Sequence, residues 1–134
     1  MSQENVALVQ AAYDAFARGD GAAVLAAMDP GIVWNEAENF PYADGNPYVG
    51  PMAVAEGVFG RIGADWEGFH LVIETLLDAG GIVVALGRYR GRNKATSTEL
   101  DAQSAHVWWL SAGKITRFQQ YTDTYQARAA AGSL

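Results

Sequence analysis

Asp123 closes a stretch that otherwise reads as a β-strand leaving a tight turn, Gly113-Lys114-Ile115-Thr116-Arg117-Phe118-Gln119-Gln120-Tyr121-Thr122-Asp123. Strand side chains alternate between the two faces of a sheet. Unbroken alternation groups Ile115, Arg117, Gln119, Tyr121 and Asp123 on one face. Asp is depleted in strands because it packs poorly and competes for backbone hydrogen bonds. An Asp in line with Tyr and Gln, on a strand expected to be central, therefore points to a polar site inside a pocket. A carboxyl shielded from water holds its proton more tightly and can move one at a carbon beside a carbonyl. The competing reading is a strand-end Asp that bonds a turn or caps the tail.

His106 is the second candidate. It lies mid-strand in Ser104-Ala105-His106-Val107-Trp108-Trp109 and shares a face with Ser104, Trp108 and Leu110. An imidazole there can relay a proton, or it can be a core or interface His bonded to a neighbouring strand. His70, beside the strand start at Phe69, reads as a surface residue, and two His so far apart give no metal-ligand spacing. The chain has no Cys, which excludes disulfides, thiolate catalysis and Cys-ligated metals and fits a reducing compartment.

The elements that must position these groups follow from periodicity. Val6, Val9, Tyr13 and Phe16 recur at helical spacing, so about Gln3 to Arg18 is an amphipathic helix with Gly19 as its stop. Asp20 can cap a short second helix carrying Val24, Leu25 and Met28, which Pro30-Gly31 breaks. Ile32 to Glu36 is a short strand. Glu38 to Gly50 reads as loop, punctuated by Pro41, Gly45, Asn46 and Pro47, yet its Phe40, Tyr42 and Tyr48 are too apolar for an idle linker. These aromatics either lid a cavity mouth or tuck against the third helix, which Pro51 starts and Met52, Ala55, Val58, Phe59 and Ile62 face inward. The period then changes. Phe69 to Leu77, Ile82 to Arg90, Ala102 to Ser111 and Lys114 to Thr124 read as four strands with short connections, followed by an Ala-rich tail over 125–134. Helices first and a meander afterwards predict a single α+β domain over 1–134, a curved antiparallel sheet wrapped around three N-terminal helices with a cavity between the layers.

Bulk properties bound the rest. Fifteen acidic against nine basic residues leave a net charge of −6, and no Lys/Arg run interrupts the chain. An acidic chain without a basic stripe is a poor nucleic-acid binder. No apolar run is long enough to span a bilayer and no basic-then-apolar leader opens the chain, so the expectation is a cytoplasmic protein with no membrane partner.

The chain resembles the SnoaL-like branch of the nuclear-transport-factor-2-like superfamily, the ketosteroid-isomerase-like fold. The resemblance covers nearly the whole chain. It rests on the element order, on Ala11-Ala12-Tyr13-Asp14-Ala15-Phe16-Ala17-Arg18-Gly19-Asp20, on Tyr48-Val49-Gly50-Pro51, and on Gly113-Lys114-Ile115 with the later Asp123. It implies a cone with an internal cavity, a homodimer packed through the outer sheet face, and a cofactor-free isomerase or polyketide cyclase. Asp123 would be the acid/base, near a His at the place of His106, with Tyr121 and His106 orienting it or donating to an enolate oxygen. Trp34, Trp108, Gln119, Tyr13, Phe40, Tyr42 and Arg88 would bind a small hydrophobic molecule; no residue is assigned to a metal. Each has its plainer reading: Trp34 and Trp108 as core or interface, Tyr13 as core, Arg88 as a solvated strand face. Ketosteroid isomerases pair an acid base with a Tyr and a protonated Asp; Tyr13 could stand for that Tyr, and Glu36 is a possible base on the first strand. Limonene-type epoxide hydrolases carry an Arg and then an Asp on the strand of Arg88, and here Arg90 stands where the Asp belongs, which speaks against that chemistry. A non-catalytic ligand-binding domain on the same fold is the alternative.

Overall fold

A computed structural model describes residues 2–133 of the chain. Helix α1 (Ser2–Ala17) ends where Gly19 takes a positive φ of 81°, a conformation that costs glycine no Cβ clash. The Asp20 carboxylate then accepts a hydrogen bond from the Ala23 amide at 3.1 Å and caps α2 (Gly21–Ala26). Strand β1 (Met28–Asn35) runs through Pro30-Gly31 rather than starting after it, with an irregular register between Met28 and Val33 that absorbs the proline. Within the expected loop a two-residue strand, β2 (Tyr48–Val49), pairs with Trp34 and Val33. The third helix is continuous from 51 to 65 but changes pitch: α3 (Pro51–Val54), a π-helical segment (Ala55–Phe59) and α4 (Gly60–Asp65). The wide turn leaves Gly57 against the Tyr48 ring, where a Cβ would lie 2.1 Å from Cε1.

Four long strands follow: β3 (Trp66–Asp78), β4 (Ile82–Asn93), β5 (Glu99–Ser111) and β6 (Lys114–Thr122), then α5 (Thr124–Ala130) within the Ala-rich tail. The sheet order is β2-β1-β6-β5-β4-β3. Every pairing is antiparallel except β1 with β6, which is parallel, so the sheet is mixed rather than wholly antiparallel. The α+β expectation holds: the inner face of this curved sheet packs on the helices, and the core runs from Val9 and Ala12 through Ile32 and Trp34 to Val58, Leu100, Ile115 and Phe118.

Curvature depends on Gly87 in β4. A Cβ built there would lie 2.1 Å from the Val72 carbonyl oxygen, opposite an irregularity between Ile73 and Thr75 in β3. Gly87→Ala is therefore expected to destabilise the fold by about 1–3 kcal/mol, because a backbone atom rather than a flexible side chain must yield; the midpoint of urea unfolding measures it.

One residue in β6 changes the face that lines the interior. In the β5–β6 ladder Leu110 pairs with Ile115 but Trp109 pairs with Arg117, which leaves Thr116 unmatched as a bulge. A one-residue slip moves every later side chain to the other face. Ile115 is inward, and beyond the bulge Phe118 and Gln120 are inward while Arg117 and Tyr121 are outward.

Candidate functional site

Between the inner sheet face and the helices lies a cavity of about 60 Å³. A single water needs on the order of 10–15 Å³ of free space, so the cavity admits a few waters or one small organic group. Its walls are largely aromatic: Phe16, Trp34, Phe59, Phe69, Trp108 and Phe118. Phe118 stacks on Trp34 at 3.8 Å between ring centres, and Trp108 meets both edge-on. The polar groups reaching it are Tyr13 from α1, Glu36 just past β1, Tyr89 from β4, His106 from β5 and Gln120 from β6, with His70 of β3 at its edge, where His70 Nδ1 lies 2.7 Å from the Gly68 carbonyl.

Glu36 continues the inward alternation of Ile32 and Trp34. Its backbone is clamped by the Asn46 side chain: the Glu36 amide donates to Asn46 Oδ1 at 2.9 Å, and Asn46 Nδ2 donates to the Glu36 carbonyl at 2.8 Å. Its Oε2 accepts from Trp34 Nε1 at 3.1 Å. Its Oε1 has no hydrogen-bond partner, the one such buried side-chain N or O atom among the described residues. Burial drives its pKa up to about 7, against the opposing pull of the Trp34 N–H and the more distant Arg61 charge.

The other four form one hydrogen-bonded chain with Trp108. Trp108 Nε1 donates to Tyr13 Oη at 2.8 Å, and Tyr13 Oη lies 2.6 Å from His106 Nδ1. His106 Nε2 is hydrogen-bonded to Tyr89 Oη. Gln120 Nε2 donates to Tyr89 Oη at 2.7 Å while its Oε1 accepts from the Ala37 amide at 2.9 Å. Burial drives the His106 pKa down to about 3, so the imidazole is neutral at pH 7. Burial also raises both phenols above their usual range, so Tyr13 and Tyr89 keep their protons.

The structure therefore gathers Tyr13, Trp34, His106 and Trp108 at the cavity, together with Glu36. It places the other expected residues elsewhere. Asp123 is exposed, and its carboxylate accepts from the Gln126 amide at 3.1 Å as the N-cap of α5. The expectation that it points inward is corrected; the Thr116 bulge is the reason. Asp123→Ala is expected to cost about 1 kcal/mol of stability through the lost cap, read from chemical denaturation. Tyr121 is 57% exposed on the outer face. Gln119 shares that face and donates to the Gln120 carbonyl. Arg88 is also outside, bonded to Asp101 at 2.7 Å with Arg90 on the same carboxylate. Phe40 and Tyr42 are buried but do not line the cavity. Phe40 packs behind Tyr89, and Tyr42 Oη bonds Asp65 at 2.7 Å. They tuck against the core and α4 rather than lidding a mouth.

Tyr89 and Gln120 were missed by the sequence reading. Tyr89 had a signal, the inward alternation Val83, Ala85, Gly87, Tyr89. Gln120 had none, because its face depends on the bulge. Among the described residues no three His, Asp or Glu side chains gather where a metal could sit, and no helix is long and apolar enough to cross a membrane.

No curated protein matches the chain. Among solved structures, an NTF2-like protein of Burkholderia thailandensis is 37% identical, with 93% of this chain and 95% of that one covered and a TM-score of 0.87. A protein of Catenulispora acidiphila with a ketosteroid-isomerase-like fold, solved in complex with trimethylamine, is 22% identical over 93% and 92% of the two chains, with a TM-score of 0.79. A candidate polyketide cyclase of Xanthomonas campestris is 22% identical over 97% and 98%, with a TM-score of 0.82. The last two share the fold. The sequence profile of the SnoaL-like domain matches residues 9–118, and the chain belongs to the SnoaL-like domain family.

Proposed function

We propose that this protein is an acid/base enzyme of the isomerase or cyclase type, acting on a small hydrophobic molecule that carries a carbonyl. The observation that carries the reading is the unpartnered Oε1 of Glu36 in an aromatic cavity shared with the Tyr13–His106–Tyr89 chain. A base is useful near pH 7 when its own pKa lies there, and burial brings Glu36 to about 7. The Glu36 carboxylate takes a proton from the carbon next to the carbonyl. The C–H electron pair moves into the new C=C bond, and the carbonyl oxygen becomes an enolate stabilised by a phenol hydrogen bond. Where the substrate carries a C=C between its β and γ carbons, the enolate is a dienolate; the carboxyl returns the proton to the γ carbon and the C=C moves into conjugation with the re-formed C=O, which is isomerisation. In a cyclase the enolate carbon attacks a second carbonyl, and the proton goes to the alkoxide that forms. Proton NMR in D₂O on a panel of small cyclic and aryl ketones tests this: enzyme-dependent loss of the α-proton signal is expected, and its absence across the panel rejects the reading.

A second reading is a non-catalytic binder. The Catenulispora relative is seen with trimethylamine, and a carboxylate among aromatic rings suits a small ammonium ion. Calorimetric binding of trimethylammonium without ketone exchange would favour it. We also propose that a second copy covers the outer sheet face, where Val72, Leu77, Leu86 and Tyr121 are exposed. Sedimentation at dimer mass is expected; a monomer at tens of micromolar rejects it.

A further inference from the structure

The hydrogen-bonded chain along the cavity wall holds one proton more than it has uses for. Its two ends only donate. The Trp108 indole has an N–H and no acceptor. The Gln120 amide is oriented by the Ala37 amide, which must donate to Oε1, so Nε2 faces Tyr89. Between the ends sit two phenols and one neutral imidazole, each with one proton. Five groups, Trp108, Tyr13, His106, Tyr89 and Gln120, bring one proton each to the chain, but only four contacts join them. If Tyr13 donates to Nδ1, then Nε2–H donates to Tyr89 and the Tyr89 O–H is left over. In the other tautomer of His106 the Tyr13 O–H is left over. Neither phenol oxygen has a further partner within hydrogen-bond distance among the described residues.

A buried hydroxyl proton without an acceptor is costly, and both phenols border the cavity. We propose that the cavity selects ligands presenting a bare hydrogen-bond acceptor, a ketone or enolate oxygen, to this leftover proton, and that Trp108 and Gln120 determine that specificity by donating inward from both ends. His106 then acts as a positioning residue, its tautomer deciding whether Tyr13 or Tyr89 offers the proton. The inference rests on the cavity being the substrate site proposed above, but not on Glu36 acting as a base.

Gln120→Glu tests it with little change of shape. An ionised Glu there accepts at both oxygens, from Ala37 and from the Tyr89 O–H. Four protons then serve four contacts and none is left over. The probes are cyclopentanone and methylenecyclopentane, which differ by C=O against C=CH₂, with affinities read by NMR titration. The ketone-to-alkene affinity ratio is expected to fall about tenfold in Gln120→Glu at about pH 8. It should recover toward the wild-type ratio at about pH 5, where a buried Glu holds its proton and donates again. Tyr13, Glu36, His70, Tyr89 and His106 share the cavity with position 120. Glu36 titrates in the interval, so the wild type at both pH values is the reference. A ratio unchanged by the substitution overturns the proposal, as does the absence of ketone binding to the wild type.

Should Gln120→Glu fail to fold, the infrared C=O stretch of cyclopentanone bound to the wild type decides. A stretch below its position in hexane is expected, and one at the hexane position overturns the proposal. Deuterium exchange without a ketone preference would sink this inference and leave the acid/base reading standing; a ketone preference without exchange would do the reverse.

Discussion

Glu36→Gln is expected to lower ketone exchange or turnover by about 10²–10⁴-fold, the range typical of a lost general base, while making the protein more stable at neutral and alkaline pH. Gln keeps the size of the side chain and can still accept from Trp34 Nε1, so the cavity wall stays in place. What disappears is the lone pair that takes the proton. In the wild type, activity should rise with pH through about 7 as Glu36 ionises. The sign of the stability effect follows from the same burial. In the unfolded chain Glu36 loses its proton near 4.5; in the folded protein it holds it to about 7. Between those values the folded state binds more protons, so stability falls as pH rises from 4.5 through 7, and the loss is complete above that. The gap corresponds to about 3 kcal/mol. Gln has no such penalty, so thermal or urea unfolding should show the variant gaining up to that amount at about pH 8 and nothing near pH 4. Full turnover in Glu36→Gln would remove this residue from the chemistry. Lost turnover without the stability gain would point to a damaged fold instead.

Phe118→Ala is expected to cost about 3–5 kcal/mol, the range for deleting a fully buried ring. Phe118 is 1% exposed and touches three walls of the site: it stacks on Trp34 and packs edge-on to His106 and Trp108. Its loss leaves a void beneath Trp34, the residue that holds Glu36 Oε2. Activity should therefore fall further than the unfolded fraction explains. Denaturant unfolding gives the stability, and exchange rates measured well below the melting temperature give the activity. A cost under 1 kcal/mol would mean that the aromatic floor collapses into the void freely.

Much of the fold was legible because its signals are local. Helical spacing of Val6, Val9, Tyr13 and Phe16, the stop at Gly19 and the cap at Asp20 act over a few residues, and the structure shows each of them, with Val9 in the core and the other three packed against it. The same holds for the alternation that put His106 and Trp108 on one face, which the structure turns inward. Tyr13, Trp34 and Glu36 became candidates through the family resemblance, and the structure places all three at the cavity. The misreading of β6 was also one of phase. Alternation counted from Ile115 was correct until Thr116, where a bulge set by pairing with Trp109 reversed it. That moved Asp123 out to cap a helix and brought Gln120 in.

The amino-acid order alone thus determined the three N-terminal helices and five of the six strands in their order, the α+β class and the family resemblance, since periodicity, turns and caps act between near neighbours in the chain. The tertiary structure decided which carboxyl faces the cavity and which hydroxyls join His106. Those choices depend on a bulge, a parallel pairing of β1 with β6 and the approach of α1 to the sheet, all contacts between segments distant in sequence.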